Sequence, residues 1–513
     1  MLTDTYTLVR SLTKLEKQYF YRSATQHEMG GKNNYLKLYQ ALCRRGKLNE
    51  NRIRKQFSGN NLYLLKSHLQ YSILKSLRNF HASASVSMRL NAMLDHIEIL
   101  YNKGLFKAGQ KILLHAKKLA STHEAHLAQL RLLEWEVKYL SAPHRFDQAG
   151  TMLKEAFRQE AGQLTLQAQF RECVKFRTEV IAFHNKSIIL KKRDEKAHRS
   201  FEGRIKKLLS AALSNKAKWQ LFNACGVYYS TIGDFASSNL YFKKNIELFR
   251  NNNDLFKEEM QQYLFSLYLQ CATCYNLKKF KEGMHNLKNL RTLFESLPDF
   301  STKKNILELY LYALMLESTF RMDTGEYQKA LPTVEKLIQL MEVHINTVHT
   351  SLRSEFYYLQ SIYWFFAEDL KRTLWHLNKI LQDADSPKEN PAHYCYARLM
   401  HVIVLAELEQ FREMENLLPA TRKYLKKKSQ HYNVEEILLN HLAEAGKKHG
   451  RSSKKEKKSS LISTKEKLIR LVKDPEEAKA LNVFDYLSWL DSKIEGQSFT
   501  SVVKEKNKKF IST

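Results

Sequence analysis

Residues Phe222 to Phe242 read FNACGVYYSTIGDFASSNLYF, two amphipathic phrases hinged on Gly233-Asp234-Phe235. Apolar or small residues at 222, 225, 226 and 229, then at 235, 238 and 242, recur at helical spacing on both sides of the hinge. Gly233 lets the chain turn, Phe235 plugs the base of the hairpin, and Ser238 is small enough for the helices to approach closely. Similar hinges occur at Gly104-Leu105-Phe106, Phe146, Phe280, Gly325-Glu326-Tyr327, Leu370 and Phe411. The anchors 106, 146, 235, 280, 327, 370 and 411 are spaced about 40–47 residues apart, with one doubled step. One repeat near residue 190 therefore has no signature of its own. A period in the forties over residues 86–445 leaves room for about eight helical hairpins, each needing neighbours to cover its apolar faces.

Composition supports an all-α reading. Only 16 Gly and 7 Pro occur in 513 residues, too few for the turns of a β-sandwich or barrel. At 43% hydrophobic the chain can bury a large core. Six scattered cysteines show no disulfide framework and fit a reducing, cytoplasmic setting. The first 22 residues mix charges among their apolar positions, unlike a signal peptide, and no run of about 18 apolar residues suggests a membrane span.

The residues Phe222, Cys225, Gly226, Tyr229, Gly233, Phe235, Ser238 and Phe242 resemble a tetratricopeptide repeat, with Phe for Trp, Cys for Leu and Ser for Ala. Leu314, Ser318, Gly325, Tyr327, Ala330 and Val334 form a second copy. The other copies keep mainly the turn and the small residue, and all exceed the usual 34-residue period, which implies lengthened helices. The resemblance implies an α-solenoid whose first helices line a groove for extended or helical peptides. Carried onto this chain, the groove comprises Asn223, Ser230, Tyr268, Tyr275, Asn276, Tyr312, Asp323, Glu355, Tyr358 and Phe365. Tyr and Asn suit such a surface because they combine contact area with hydrogen bonding at low entropic cost. Some of these tyrosines would alternatively pack between the lengthened helices. The Lys-and-Asn carboxylate clamp of some relatives is missing at these positions.

The net charge of +30 is uneven. Residues 1–120 and 421–472 are strongly basic, and the centre is nearly neutral. Such asymmetry suits an acidic surface or nucleic acid, although a solvated Lys-rich exterior gives the same pattern. The first 85 residues parse as four helices, Leu12–Arg22, Asn34–Arg44, Asn49–Phe57 and Leu62–Phe80, forming a basic segment or cap. The last two superficially resemble helix-turn-helix, with Arg44, Arg45, Arg52, Arg54, Lys55 and Lys66 as a candidate basic patch. Against DNA binding, Leu62, Leu65, Leu69, Ile73 and Leu77 would be spent on burial, and Arg54 sits where tight helix crossing calls for a small residue. Beyond the array, residues 446–460 read as a Lys/Ser-rich linker. Residues 461–513 follow as C-terminal helices, with a capping box at Ser463–Glu466 and an amphipathic stretch from Ala480 to Ile494 that docks on the array or on a partner.

Catalytic and cofactor signatures are absent: no phosphate-binding loop, nucleophile elbow or His-Glu-x-x-His occurs. His123 and His126 are an isolated pair, and Cys271 and Cys274 fall on inward positions where thiols pack. The expectation is a non-enzymatic protein- or peptide-binding scaffold without cofactor. The alternative is a nucleic-acid-binding regulator with a basic N-terminal domain and a repeat array as sensor.

Overall fold

The structure is a computed structural model. It describes residues 3–25, 34–44, 50–57, 61–141, 149–189, 195–211, 213–298, 300–427, 433–447, 453–474, 477 and 483–512. Among these residues there are 26 α-helices, one 3-10 turn and no strand. The chain divides into two compact units, Met1–Ala168 and Gln169–Thr513.

In the first unit, five helices gather around Val9, Phe20, Leu38, Leu42, Leu69 and Ile73. They are α1 (Thr3–Ser11), α2 (Lys14–Thr25), α3 (Asn34–Cys43), α4 (Glu50–Gln56) and α5 (Leu62–Phe80). Helix α1 was not expected, because its three threonines weaken the helical signal; it is held by burial of Thr5 and Val9. Ser85 Oγ accepts from the Met88 amide and starts α6 (Val86–Asn102), which pairs with α7 (Phe106–Thr122). With α8 (His126–Leu140) they enclose a separate core containing Leu90, Ile97, Leu113 and Leu132.

The doubled step has a direct cause. Helix α9 runs unbroken for 41 residues, Ala149–Ile189, so no hinge interrupts that stretch. The anchor Phe146 and the segment just after residue 189 lie outside the described residues.

The second unit stacks α10 (Glu195–Leu209) and then antiparallel pairs. These are α11 (Asn215–Thr231) with α12 (Phe235–Arg250), α14 (Met260–Asn276) with α15 (Phe280–Ser296), and α16 (Lys304–Asp323) with α17 (Tyr327–His344). Next come α18 (Thr350–Phe366) with α19 (Leu370–Gln382), and α21 (Pro391–Glu407) with α22 (Phe411–Lys427). Short helices α13 (Asn253–Glu258) and α20 (Ser386–Glu389), and a 3-10 turn at Phe300–Thr302, sit between pairs and help stretch the period. Helix α14 packs on α16, α16 on α18 and α18 on α21, so the first helices from α14 to α21 form one continuous layer. The core from Leu264 to Val503 is a single cluster.

Every recognised hinge among the described residues shares one backbone device. The residue two before the anchor has positive φ: Gly104 (69°), Gly233 (84°), Lys278 (58°), Gly325 (72°), Glu368 (60°) and Glu409 (57°). At Leu105, Lys279, Glu326, Asp369 and Gln410 the next amide bonds back to the preceding helix, as in Glu326 N to Arg321 O at 2.8 Å and Asp369 N to Trp364 O at 2.9 Å. This is the Schellman type of helix end, which reverses the chain in few residues. Small residues then allow close helix approach: a Cβ on Gly226 would lie 2.5 Å from the Phe242 ring. Ser238, buried in the same hairpin, donates its hydroxyl to the Gly226 carbonyl at 2.8 Å.

The C-terminal reading needs correction. Helix α23 (Asn433–Lys447) pairs with α24 (Lys454–Leu471), which begins inside the expected linker 446–460. The reciprocal cap is Ser453 with Glu456 rather than Ser463 with Glu466. A Lys-rich stretch without apolar residues forms this first part of α24 because it is fully solvent-facing and well capped. Residues 448–452 lie outside the described residues. Helices α25 (Tyr486–Glu495) and α26 (Phe499–Ser512) close the second unit. No described helix is long and apolar enough to cross a membrane.

Candidate functional site

The layer of first helices presents one face at every third or fourth residue. On α14 this face carries Tyr268, Tyr275 and Asn276; on α16 it carries Tyr312, Met315 and Asp323; on α18 it carries Glu355, Tyr358 and Ile362. These residues surround one cavity of ≈ 580 Å³, within the range of about 300–1,000 Å³ that holds small ligands or side chains. Of the other residues expected in the groove, Asn223 is buried and accepts from Arg177 Nε at 2.9 Å, and Ser230 is half-buried away from the cavity. Phe365 is covered by Phe484 and Phe499, whose rings lie 5.3 and 5.4 Å away.

The cover comes from the C-terminal segment. Val483, Phe484, Asp485, Phe499, Val503, Lys506 and Asn507 line the side of the cavity opposite the helix layer. Thr500 Oγ1 donates to the Phe366 carbonyl at 3.0 Å, and Trp489 Nε1 donates to Glu407 at 2.8 Å. Of the two docking choices left open by the sequence, the segment takes the array. These lining residues were missed because amphipathicity marks a face for burial without naming the surface that buries it. His393, from the start of α21, was missed because it lies outside the tetratricopeptide motif positions.

The two ends of the cavity differ electrostatically. At one end the Tyr275 hydroxyl donates to Asp323, and Lys278 Nζ lies 5.1 Å from the Tyr275 ring centre. Burial raises the Asp323 pKa, against the bond from Tyr275 and the charge of Lys278. Lys506 is held by Asp485 at 2.8 Å. At the other end, burial pushes Glu355 up to about 7, opposed only by bonds from Ser351, Tyr312 and Asn390. His393 is driven down to about 4 by burial and is neutral at physiological pH. Tyr268, Tyr312 and Tyr358 are all raised by burial, the first two also by the Glu355 charge.

The remaining sequence candidates fall elsewhere. Arg44, just after α3, and Arg52, Arg54 and Lys55, on α4, are exposed; Arg54 lies 3.9 Å from Glu50, and Lys66 lies 3.9 Å from Asp4. Arg45 is outside the described residues. Helix α5 turns Leu69 and Ile73 inward and packs chiefly on α3 and α2. Cys271 and Cys274 are fully buried, and burial raises the pKa of both thiols, that of Cys274 to about 11. His126 Nδ1 pairs with Gln163 Oε1 at 2.9 Å. Among the described residues no cluster of three His, Cys, Asp or Glu residues could hold a metal ion.

These hairpins and their shared hinges settle the fold. The chain is a tetratricopeptide-like helical-repeat protein. No family model and no curated protein matches its sequence. Among solved structures it is similar to the apo form of the quorum sensor NprR from B. thuringiensis, with a TM-score of 0.45 and 13% identity. That alignment covers 77% of this chain and 99% of the other. At this level of likeness the fold assignment rests on the helices and hinges themselves.

Proposed function

We propose that the second unit is a non-catalytic scaffold that binds a protein or peptide segment along the inner layer of first helices. The observation that carries this reading is the convergence of Tyr268, Tyr275, Asn276, Tyr312, Asp323, Glu355 and Tyr358 on one cavity. Aromatic rings with polar tips give contact area and hydrogen bonds together, which suits a chain-like ligand more than a reaction centre. Asp323 and Glu355 are hydrogen-bonded by neutral hydroxyls and an amide, and Asp485 is paired with Lys506.

The test is selection from a random heptapeptide library on the full-length protein, followed by affinity measurement of the enriched peptides. Binding is expected to fall at least tenfold in the Tyr268→Ala/Tyr275→Ala double variant. Unchanged affinity in that variant would remove the groove assignment.

A second reading is a nucleic-acid-binding regulator, supported by the exposed Arg52, Arg54 and Lys55 on α4 and the exposed Arg44 just after α3. It requires affinity that falls steeply with salt as phosphate counterions are released, and loss of binding on deletion of residues 1–80. A flat salt response would rule it out.

A further inference from the structure

Among the described residues no cation pairs with the Glu355 carboxyl group. Its partners are Ser351 Oγ at 3.3 Å, Asn390 Nδ2 at 3.4 Å and the Tyr312 hydroxyl, all neutral. The groups facing it come from four helices: Tyr268 from α14, Tyr312 from α16, Ser351 and Tyr358 from α18, and Asn390 with His393 from the start of α21. The remaining acid nearby, Glu308 on α16, accepts the His349 amide at 3.0 Å. The lysines that line the cavity, Lys278 and Lys506, are engaged at its other end with the Tyr275 ring and Asp485.

The tyrosine rings supply a second element. Tyr268 and Tyr312 lie 6.1 Å apart beside the carboxyl, and Tyr358 stands edge-on to His393 at 5.5 Å. Aromatic faces around a carboxylate, shielded from bulk water, form an environment that attracts a positive charge.

Resting on the groove reading above, we propose that the Glu355 end of the cavity binds an organic cation: the guanidinium or ammonium group of an Arg or Lys side chain on the bound peptide, or the same group on a free amine. The cation pairs with Glu355, stacks against Tyr268 and Tyr312, and accepts no bond. Because Glu355 is about half protonated near pH 7 without ligand, arrival of the cation releases a proton. Affinity therefore rises with pH, by about tenfold between pH 6 and pH 8. His393 stays neutral across that window and adds no opposing dependence.

The test is calorimetric titration of the full-length protein with heptapeptides of alanine carrying one central Arg, Lys or citrulline, and with free butylguanidinium. The Arg and Lys peptides are expected to bind at least tenfold more tightly than the citrulline peptide at pH 8. That preference and the pH dependence should vanish in Glu355→Gln, which keeps the shape and the hydrogen bonds. Butylguanidinium equal in affinity to the Arg peptide would assign the site to a free amine; weaker binding would assign it to a peptide side chain. Equal binding of Arg and citrulline peptides would overturn the inference while leaving the groove reading intact. A cation preference that survives Glu355→Gln, or no binding of any cation, would overturn it as well; the random library tests the groove separately.

Discussion

Asn507 Nδ2 donates to the main-chain carbonyl of Asp323 at 2.6 Å, joining residues 184 positions apart. It ties α26 to the end of α16, where Gly325 lets the chain approach: a Cβ there would lie 2.5 Å from that of Lys504. The cover over the cavity is thus anchored at both ends, here and at the Phe499 cluster.

Removing the Phe499 side chain should loosen that cover. Phe499 is 6% exposed and packs on Phe365, Phe366 and Phe484. Phe499→Ala is expected to cost roughly 3–5 kcal/mol locally. Because repeat arrays open in parts, the loss should appear in hydrogen exchange as faster exchange over residues 486–512 with α11 and α12 unchanged.

At the hinges, Glu368 and Glu409 occupy a backbone region that disfavours side chains by roughly 1–2 kcal/mol. Glycine relieves this strain while adding freedom to the unfolded chain. Glu368→Gly and Glu409→Gly should each stabilise by about 0.5–1 kcal/mol. Gly233→Ala should destabilise by about 1 kcal/mol or more. Thermal or denaturant unfolding of the three variants reads both signs, and a loss in both glutamate variants would contradict the hinge geometry.

Two helical glycines should respond oppositely to the same substitution. A Cβ at Gly283 would meet the Phe320 ring at 2.4 Å, so Gly283→Ala is expected to cost about 1–3 kcal/mol. Gly162 has open space around it, and Gly162→Ala should gain about 0.5–1 kcal/mol. Denaturant midpoints of the pair separate close packing from helix propensity.

Stability should fall with rising pH because of Glu355. Its folded pKa, about 7, lies above the ordinary value of 4.5, so the folded state holds the proton more tightly. The penalty is absent below about pH 4.5 and complete above about pH 7, reaching about 3 kcal/mol at 1.36 kcal/mol per pKa unit. Glu355→Gln is therefore expected to raise the melting temperature at pH 8 and have little effect at pH 4.5. A gain independent of pH would show that the charge is not its source.

The hinges were legible where sequence and backbone agree. Gly104, Gly233 and Gly325 advertise their turns, but Lys278, Glu368 and Glu409 adopt the same conformation with no compositional sign, and only the following anchor reveals them. The cavity-lining face of α14, α16 and α18 was reached by carrying the tetratricopeptide positions onto this chain, because a side chain's direction there is set by its own helix. Phe365 was misplaced for a different reason: its neighbours Phe484 and Phe499 arrive from more than a hundred residues away, and no local pattern encodes that meeting. The same distance hid the enclosure of the cavity: the position of Glu355 on the face was readable, whereas the side built by Val503 and Lys506 was not.

The covering segment also imposes an order in time. Thr500 bonds to the Phe366 carbonyl across 134 residues of chain. At a synthesis rate of roughly 5–20 residues per second, α18 emerges from the ribosome about 7–27 s before α26 can reach it. During that interval the tyrosine-lined face is built but unroofed. A peptide or chaperone present then meets a wider surface than the finished protein offers, and whatever it occupies competes with the chain's own closing helices.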